Sequence, residues 1–172
     1  GGQPGKMLAL EMGGNNALVV WDVQDVYAAV HHAIFSAFVS AGQRCTCARR
    51  LVVQDHAAGV AFIARLVEVA AKLGIGASDA QPQPFMGPVV SSAVAARLVQ
   101  AQADMVAKGG TTLLQMRQLN PEAGFVTAGI VDVTAATGIP DADWFGPLLQ
   151  VIRVADFDAA LHVANPTELG LA

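Results

Sequence analysis

Apolar runs of strand length alternate along this chain with longer segments in which apolar residues recur at every third or fourth position. The longer pattern predicts helices, because residues at that spacing lie on one face of a helix. The clearest case is residues 25–39, where Val26, Val30, Ile34 and Phe38 share one face. We therefore predict an amphipathic helix that packs this apolar face on a core.

Helices and strands alternate in the same way over the rest of the chain. Further helices are predicted over residues 57–72, 91–107 and 157–164. The buried face of the helix at 57–72 is predicted to carry Val60, Ile63, Val67 and Ala70. Strands are predicted over residues 7–10, 17–21, 51–54, 112–114, 125–133 and 148–154. This alternation predicts an α/β fold with a mostly parallel, twisted sheet flanked by helices.

Composition fits one domain and argues against some partners. A chain of 172 residues has the size of one ordinary domain. Its net charge is −4 and its longest basic run is the pair Arg49 and Arg50, so we expect no nucleic-acid partner. Only 14% of the residues are charged, where about 25% is typical of soluble domains. Part of the surface is therefore predicted to contact another domain or subunit.

The high apolar content does not predict a membrane protein. The best candidate span is the charge-free run at 27–43, but polar residues and a glycine interrupt it, namely His31, His32, Ser36, Ser40 and Gly42. This run therefore predicts a core helix. The chain begins without a methionine and without a signal-peptide pattern, which predicts a cytoplasmic fragment of a longer protein.

The cysteines and histidines predict free thiols and no metal site. Cys45 and Cys47 are too close in sequence to form a disulfide framework, and such a pair is typical of free thiols in a reducing compartment. The four histidines lack the spacings of metal ligands, so surface positions are expected for them. Cys47 is predicted to be a packing residue, because cysteine is commonly buried.

The segment AGQRCTC places the thiol of Cys45 in a loop of small residues, directly beside Arg44. An adjacent cation favours the thiolate form of a cysteine. A thiolate that adds to an aldehyde forms a thiohemiacetal, whose oxyanion needs donors such as the backbone N–H of Cys45. Hydride loss then leaves a thioester, and Glu11 is the candidate base that activates water. The alternatives are a buried, inert cysteine and a solvated or salt-bridged glutamate.

Three segments resemble motifs of the aldehyde dehydrogenase superfamily, in the family's order and over nearly the whole chain. They are LALEMGGNNALVV, FVSAGQRCTCARRLVV and DWFGPLLQVIRV. The forms EMGGNN, AGQRCTCARRL and PQPFMGPVVS most resemble the members that oxidise N-succinylglutamate 5-semialdehyde in arginine catabolism.

This resemblance implies a role for several residues. Cys45 would be the nucleophile and Glu11 the general base. Asp143 stands where the family usually has a glutamate that holds the nicotinamide ribose hydroxyls, and Phe145 follows in the cofactor-facing turn. The shorter aspartate predicts a weakened or water-bridged contact with NAD. Arg44 would pair with a carboxylate of an anionic aldehyde substrate, or else only favour the thiolate or point to solvent.

The resemblance also implies a larger protein. Residues 1–172 would form the catalytic domain, while the NAD-binding domain and the C-terminal assembly segment would lie outside it. The full-length protein would be a cytoplasmic, NAD-dependent homo-oligomer, and the fragment alone would be inactive. Two alternatives stay open: another thiol enzyme of the superfamily, which oxidises a different semialdehyde or acylates coenzyme A, and a non-catalytic interaction module.

Overall fold

The described residues of the chain, 4–9 and 13–172 of a computed structural model, form one five-stranded sheet with helices packed on it. The strands are β1 (Asn16–Val20), β2 (Ala48–Gln54), β3 (Thr111–Leu114), β4 (Gly129–Asp132) and β5 (Leu148–Val154). The helices are α1 (Val26–Phe38), α2 (Ala57–Ala70), α3 (Ser92–Ala107) and α4 (Phe157–Ala164).

The sheet is mostly parallel, as predicted. Its strand order is β1-β2-β5-β4-β3, and only the edge strand β3 runs antiparallel to its neighbour β4. Side chains alternate between the two faces of the central strand β2. Leu51 and Val53 join the larger core with α1, α2 and α3, whereas Val52 joins a smaller core with α4. Helices on both faces therefore bury the sheet.

A side chain caps the first turn of each helix. Asp25, Ser91 and Asp156 accept the N–H of the third residue that follows them, at the starts of α1, α3 and α4. His56 accepts the N–H of Ala58 at the start of α2. These caps satisfy N–H groups that have no partner inside a helix, so they fix where each helix begins.

Strand β2 begins earlier than its apolar run predicts. The sequence predicts a strand from residue 51, but pairing starts at Ala48 and brings both Arg49 and Arg50 into the strand. Arg49 is fully buried and Arg50 is 7% exposed. Two adjacent charged residues are unusual in a buried strand. The strand can bury them because both guanidinium groups donate hydrogen bonds to acceptors.

The prediction for the buried face of α2 was wrong for one residue. Val60 is 54% exposed, while Phe62 and Leu66 are buried and centre the face that meets the core. Both faces carry apolar residues, so the helical spacing alone did not distinguish them.

Two predicted strands also differ. Residues 7–9 have no regular secondary structure, and Met7 is 96% exposed, while Leu10 lies outside the described residues. The strand predicted over 125–133 is limited to β4. Residues before it instead hydrogen-bond to an irregular segment, with Thr127 N–H donating to the Arg117 carbonyl and Leu119 N–H to the Phe125 carbonyl. Apolar residues there pack without joining the sheet.

Neither a membrane span nor a metal cluster is found in the described part of the chain. No helix among residues 4–9 and 13–172 combines the length and the apolar character needed to cross a bilayer. Over the same residues, His, Cys, Asp and Glu side chains do not gather in threes or more as a metal ion would require.

The packing of α3 yields a stability prediction. Leu98 is 1% exposed and lies under the turn at Gly146, where any Cβ would collide with the Leu98 side chain. In a full-length protein that contains this chain, Leu98→Ala should lower the free energy of unfolding by about 2–5 kcal/mol, because it leaves a cavity. Urea denaturation followed by fluorescence measures the change.

The matched control is Arg97→Ala, because Arg97 is the exposed neighbour on the same helix. Its expected effect is within about 0.5 kcal/mol. Equal losses for the two variants would contradict the assignment of Leu98 to the core.

Candidate functional site

Three loops meet at one edge of the sheet because the strands that follow them are parallel neighbours. The loop at 13–15 leads into β1, the loop at 39–47 into β2, and the loop at 141–147 into β5. Parallel strands place their amino ends at the same edge. The fold therefore brings together segments that are far apart in the chain, and Cys45, Asp143 and Phe145 all lie in these loops.

The loop that carries Cys45 starts with an unusual turn. After α1, residues Ser40, Ala41 and Gly42 all have positive φ, at 55°, 55° and 66°. Such values are strained for residues with a Cβ and persist where surrounding contacts hold them. A Cβ at Gly42 would collide with the carbonyl of Gly146. The cysteine loop thus packs directly on the turn before β5.

Asn16 holds the carbonyl groups on either side of the thiol. Its Nδ2 donates to the carbonyl oxygens of Cys45, at 2.6 Å, and of Cys47, at 3.1 Å. Gly14 is equally close, since a Cβ there would lie 2.7 Å from the Cys45 carbonyl oxygen. The predicted site did not include Asn16, and its place in the GGNN turn is the only sequence signal for it.

The two cysteines differ in their surroundings. Cys45 is half-buried, and its backbone N–H donates to no acceptor among residues 4–9 and 13–172. Cys47 is 2% exposed, and its Sγ lies 3.8 Å from the Val39 carbonyl oxygen. The packing role predicted for Cys47 is confirmed. Within the described part of the chain, Cys45 therefore combines partial exposure with an unpaired backbone N–H, which is the kind of donor that can stabilise an oxyanion.

The carboxylate of Asp143 connects the loops. Its Oδ1 accepts from Arg49 Nε at 2.7 Å and from Phe145 N–H at 3.0 Å, and its Oδ2 accepts from Gly14 N–H at 3.0 Å. The side chain is 11% exposed. A carboxylate has about four acceptor positions, so when only donors from residues 4–9 and 13–172 are counted, one on Oδ2 remains for a further donor. Phe145 has a φ of 41° and is 42% exposed beside it.

Arg49 was not among the predicted site residues. Besides its ion pair with Asp143, its Nη2 donates to the carbonyl oxygen of Arg44 at 3.0 Å. Its guanidinium carbon lies 5.9 Å from the centre of the Phe145 ring, within the range of a cation–π contact. The sequence signal for Arg49 was its position in a pair of arginines directly before an apolar strand. If the strand includes these arginines, their charges are buried and require partners.

Arg44 has a fixed backbone and an exposed side chain. Its carbonyl oxygen accepts from Arg49 and from Cys47 N–H, while its Nε donates to Ser40 Oγ at 3.1 Å. The two terminal nitrogens of its guanidinium group have no hydrogen-bond partner among the described residues. The residue that precedes Cys45 therefore carries a charged, planar group whose terminal donors are free within the described residues.

Glu11, the candidate general base, lies outside the described residues. Residues that follow it closely are described, and they contact the site. Gly13 has a φ of 85°, and a Cβ there would lie 3.0 Å from Asp143 Oδ2. The glycine turn after Glu11 therefore packs against the same carboxylate that binds Arg49.

A second set of polar contacts, made by Arg50 and Asp141, holds the turn before β1. Arg50 donates to the carbonyl oxygens of Asn15, Val163 and Ala164, and so binds the end of α4. Burial lowers the pKa of Arg50, and the charge of Asp141 opposes this shift. The pKa of Asp141 lies below its ordinary value, mainly because Asn15 donates a hydrogen bond to its carboxylate.

The whole chain, residues 1–172, matches the model of the aldehyde dehydrogenase family. The chain belongs to the aldehyde dehydrogenase family. It is 62% identical over 171 residues to the N-succinylglutamate 5-semialdehyde dehydrogenase of Chromobacterium violaceum and 58% identical to that of Ectopseudomonas mendocina. Each alignment covers 99% of this chain and 35% of the relative, so the chain spans about a third of the length of these aldehyde dehydrogenases.

Solved structures of aldehyde dehydrogenases share the fold. Methylmalonate-semialdehyde dehydrogenase from Oceanimonas doudoroffii superposes with a TM-score of 0.80 at 28% identity, covering 91% of this chain and 33% of that one. A Sinorhizobium meliloti protein solved in complex with NAD gives a TM-score of 0.82 at 25% identity, with the same coverage of 91% and 33%. The predicted α/β fold of an aldehyde dehydrogenase is confirmed.

The difference in burial between the two thiols predicts selective alkylation. Iodoacetamide should label Cys45 in the folded full-length protein, while Cys47 should react only after denaturation, because its side chain is buried. Peptide mass spectrometry after timed labelling measures both rates. The Cys45→Ser variant is the control, and it should remain unlabelled at position 47 while folded. Equal labelling of both thiols in the native state would contradict this assignment.

Proposed function

We propose that this chain is the catalytic domain of an enzyme that oxidises N-succinyl-L-glutamate 5-semialdehyde to N-succinyl-L-glutamate with NAD, in arginine catabolism. The observation that carries the proposal is the convergence of three loops on Cys45, in a chain 62% identical to an enzyme of that name. The activity belongs to the full-length protein, because the chain spans 35% of the length of that relative.

Cys45 acts as the nucleophile in this proposal. Its thiolate adds to the aldehyde carbon, and the carbonyl oxygen becomes an oxyanion. The N–H of Cys45 is a suitable donor for this oxyanion, since it has no other acceptor within the described part of the chain. Asn16 fixes the direction of the Cys45 carbonyl by its hydrogen bond of 2.6 Å.

Hydride leaves the tetrahedral carbon as the oxyanion collapses, and the carbon–sulfur bond is kept as a thioester. Accepting that hydride is the chemistry for which a nicotinamide cofactor is needed. Glu11 then removes a proton from water, the hydroxide adds to the thioester, and Cys45 leaves as a thiolate. The product is the carboxylic acid.

Asp143 and Phe145 are the proposed contacts of the cofactor within this chain. The remaining acceptor position on Asp143 Oδ2 suits a ribose hydroxyl, and the partly exposed ring of Phe145 offers an apolar surface beside it. These features fit a nicotinamide dinucleotide, and we propose NAD, which is the cofactor bound in the Sinorhizobium meliloti structure. The remaining cofactor contacts would come from a separate domain of the full-length protein, which we expect to be a cytoplasmic homo-oligomer.

Arg44 is the proposed determinant of substrate charge. The substrate carries carboxylates, and the terminal nitrogens of Arg44 are free, within the described residues, to bind one of them in a bidentate manner. The fixed Arg44 carbonyl keeps the base of this side chain beside the thiol. Another semialdehyde is the alternative substrate, but identity to the solved semialdehyde dehydrogenases of other names is lower, at 25% to 30%.

The roles of Cys45 and Glu11 predict two different failures. In the full-length enzyme, Glu11→Gln should form about one reduced cofactor per site and then turn over about 100-fold more slowly, because the thioester is not hydrolysed. Cys45→Ser should form almost none. Rapid-mixing absorbance of the reduced cofactor separates the two variants. Wild-type turnover by Glu11→Gln would exclude Glu11 as the base.

The role of Arg44 predicts a change in substrate preference. Arg44→Leu should raise KM for the succinylated semialdehyde by about 10- to 100-fold, since it removes a charge-assisted hydrogen bond. For a neutral aliphatic aldehyde, KM should change much less. Arg97→Leu, which removes an exposed arginine on α3, is the control and should leave both constants unchanged. Equal losses on both aldehydes would remove carboxylate recognition from the proposal.

A further inference from the structure

Arg49 binds the peptide group that joins Arg44 to Cys45. The carbonyl of Arg44 and the N–H of Cys45 belong to one peptide unit, which is planar and trans. In a trans peptide the two groups point in opposite directions. A donor that fixes the direction of the Arg44 carbonyl therefore also fixes the direction of the Cys45 N–H. Arg49 Nη2 is such a donor, at 3.0 Å from the Arg44 oxygen.

The second acceptor of this peptide oxygen is local. Cys47 N–H also donates to the Arg44 carbonyl, at 3.0 Å, which closes a tight turn around the thiol. Asn16 also binds two carbonyls of this turn, those of Cys45 and Cys47, but neither belongs to the peptide that carries the Cys45 N–H. The bond from Arg49, which comes from the buried start of β2, ties the turn to the sheet.

Arg49 is itself held in place by Asp143. The distance from Nε to Oδ1 is 2.7 Å, and the arginine is fully buried. Asp143 is held in turn by Gly14 N–H and Phe145 N–H. A planar guanidinium group has several N–H donors in fixed directions, so it can bridge a carboxylate and a carbonyl in one fixed geometry, which an ammonium group cannot reproduce.

The geometry points to Arg49 as a positioning residue that aims the Cys45 N–H at the oxyanion and links this donor to the cofactor-side residue Asp143. This inference rests on the proposed function, because it assigns a task to the same thiol. It adds an arginine that belongs to strand β2, directly after the loop. A carbonyl polarised by a buried cation also makes the N–H of the same peptide a stronger donor.

Two reactions of the thiol separate this role from a structural one. Acylation by p-nitrophenyl acetate forms a carbon–sulfur bond, passes through an oxyanion and releases p-nitrophenolate, so it needs the N–H donor. Alkylation by iodoacetamide displaces iodide at a saturated carbon and forms no oxyanion. Neither reaction needs the cofactor. Loss of the donor geometry should slow the first reaction and leave the second nearly unchanged.

The main variant is Arg49→Lys in the full-length protein. The lysine ammonium can reach Asp143 and keeps the buried charge paired, but it is too short to reach the Arg44 carbonyl as well. We expect acylation of Cys45 to fall about 10- to 100-fold, with alkylation changed by less than about 3-fold. Release of p-nitrophenolate and mass spectrometry of Cys45 measure the two rates.

A second variant tests the same inference without leaving a buried charge that could cause misfolding. Arg49→Met combined with Asp143→Asn removes both charges, so that no buried charge is left without a partner, and it should give the same split between the reactions. The matched control is Arg153→Met combined with Asp132→Asn, which removes an ion pair of 2.9 Å between β5 and β4, outside the Cys45 loop. This control should keep both rates.

The inference is overturned if both Arg49 variants acylate as fast as the wild type, or if acylation and alkylation fall by the same factor. A wild-type protein whose Cys45 is not acylated faster than a free cysteine would overturn the proposed function together with this inference. Acylation by the wild type with no selective loss in the variants would overturn the inference alone.

Discussion

Two guanidinium groups are buried where strand β2 begins, and the arrangement of the surrounding loops depends on their need for partners. A buried cation without acceptors costs several kcal/mol, so Arg49 and Arg50 can lie inside the sheet only if other segments supply oxygen atoms. Arg50 takes carbonyls from the turn before β1 and from the end of α4. Arg49 donates to the Asp143 carboxylate and to the carbonyl oxygen of Arg44. The same contacts that satisfy these charges assemble the candidate active site.

The site lies at the amino ends of its strands. Open parallel sheets commonly bind ligands at the carboxyl ends of the strands. Here the three loops that lead into β1, β2 and β5 converge instead, and the glycines at positions 14 and 42 allow backbone to meet backbone between them. A side chain at either position would separate the loops. The site is therefore built largely from peptide groups, with a few side chains that hold them in place.

The sequence predicted the fold class and the main elements because their apolar spacing is regular. Cys45 was found from its small-residue loop and its motif. Arg49 and Asn16 were not, because their partners are peptide carbonyls and a carboxylate that come close only in the folded chain. The error at Val60 has a related cause, since spacing identifies a helix but does not decide between two apolar faces. Motifs thus indicated the proposed nucleophile, while only the folded chain identified the residues that hold its loop in place.

The ion pair between Arg49 and Asp143 spans 94 positions of sequence. During synthesis on the ribosome, Cys45 emerges long before Asp143, and Asn16 receives the N–H of Ala172 only at the far end of this segment. The thiol loop therefore cannot take its final shape while the chain is still short. Nascent chains that end before Asp143 lack the ion pair that holds Arg49, so the order in which the chain is made delays the final shape of the Cys45 loop.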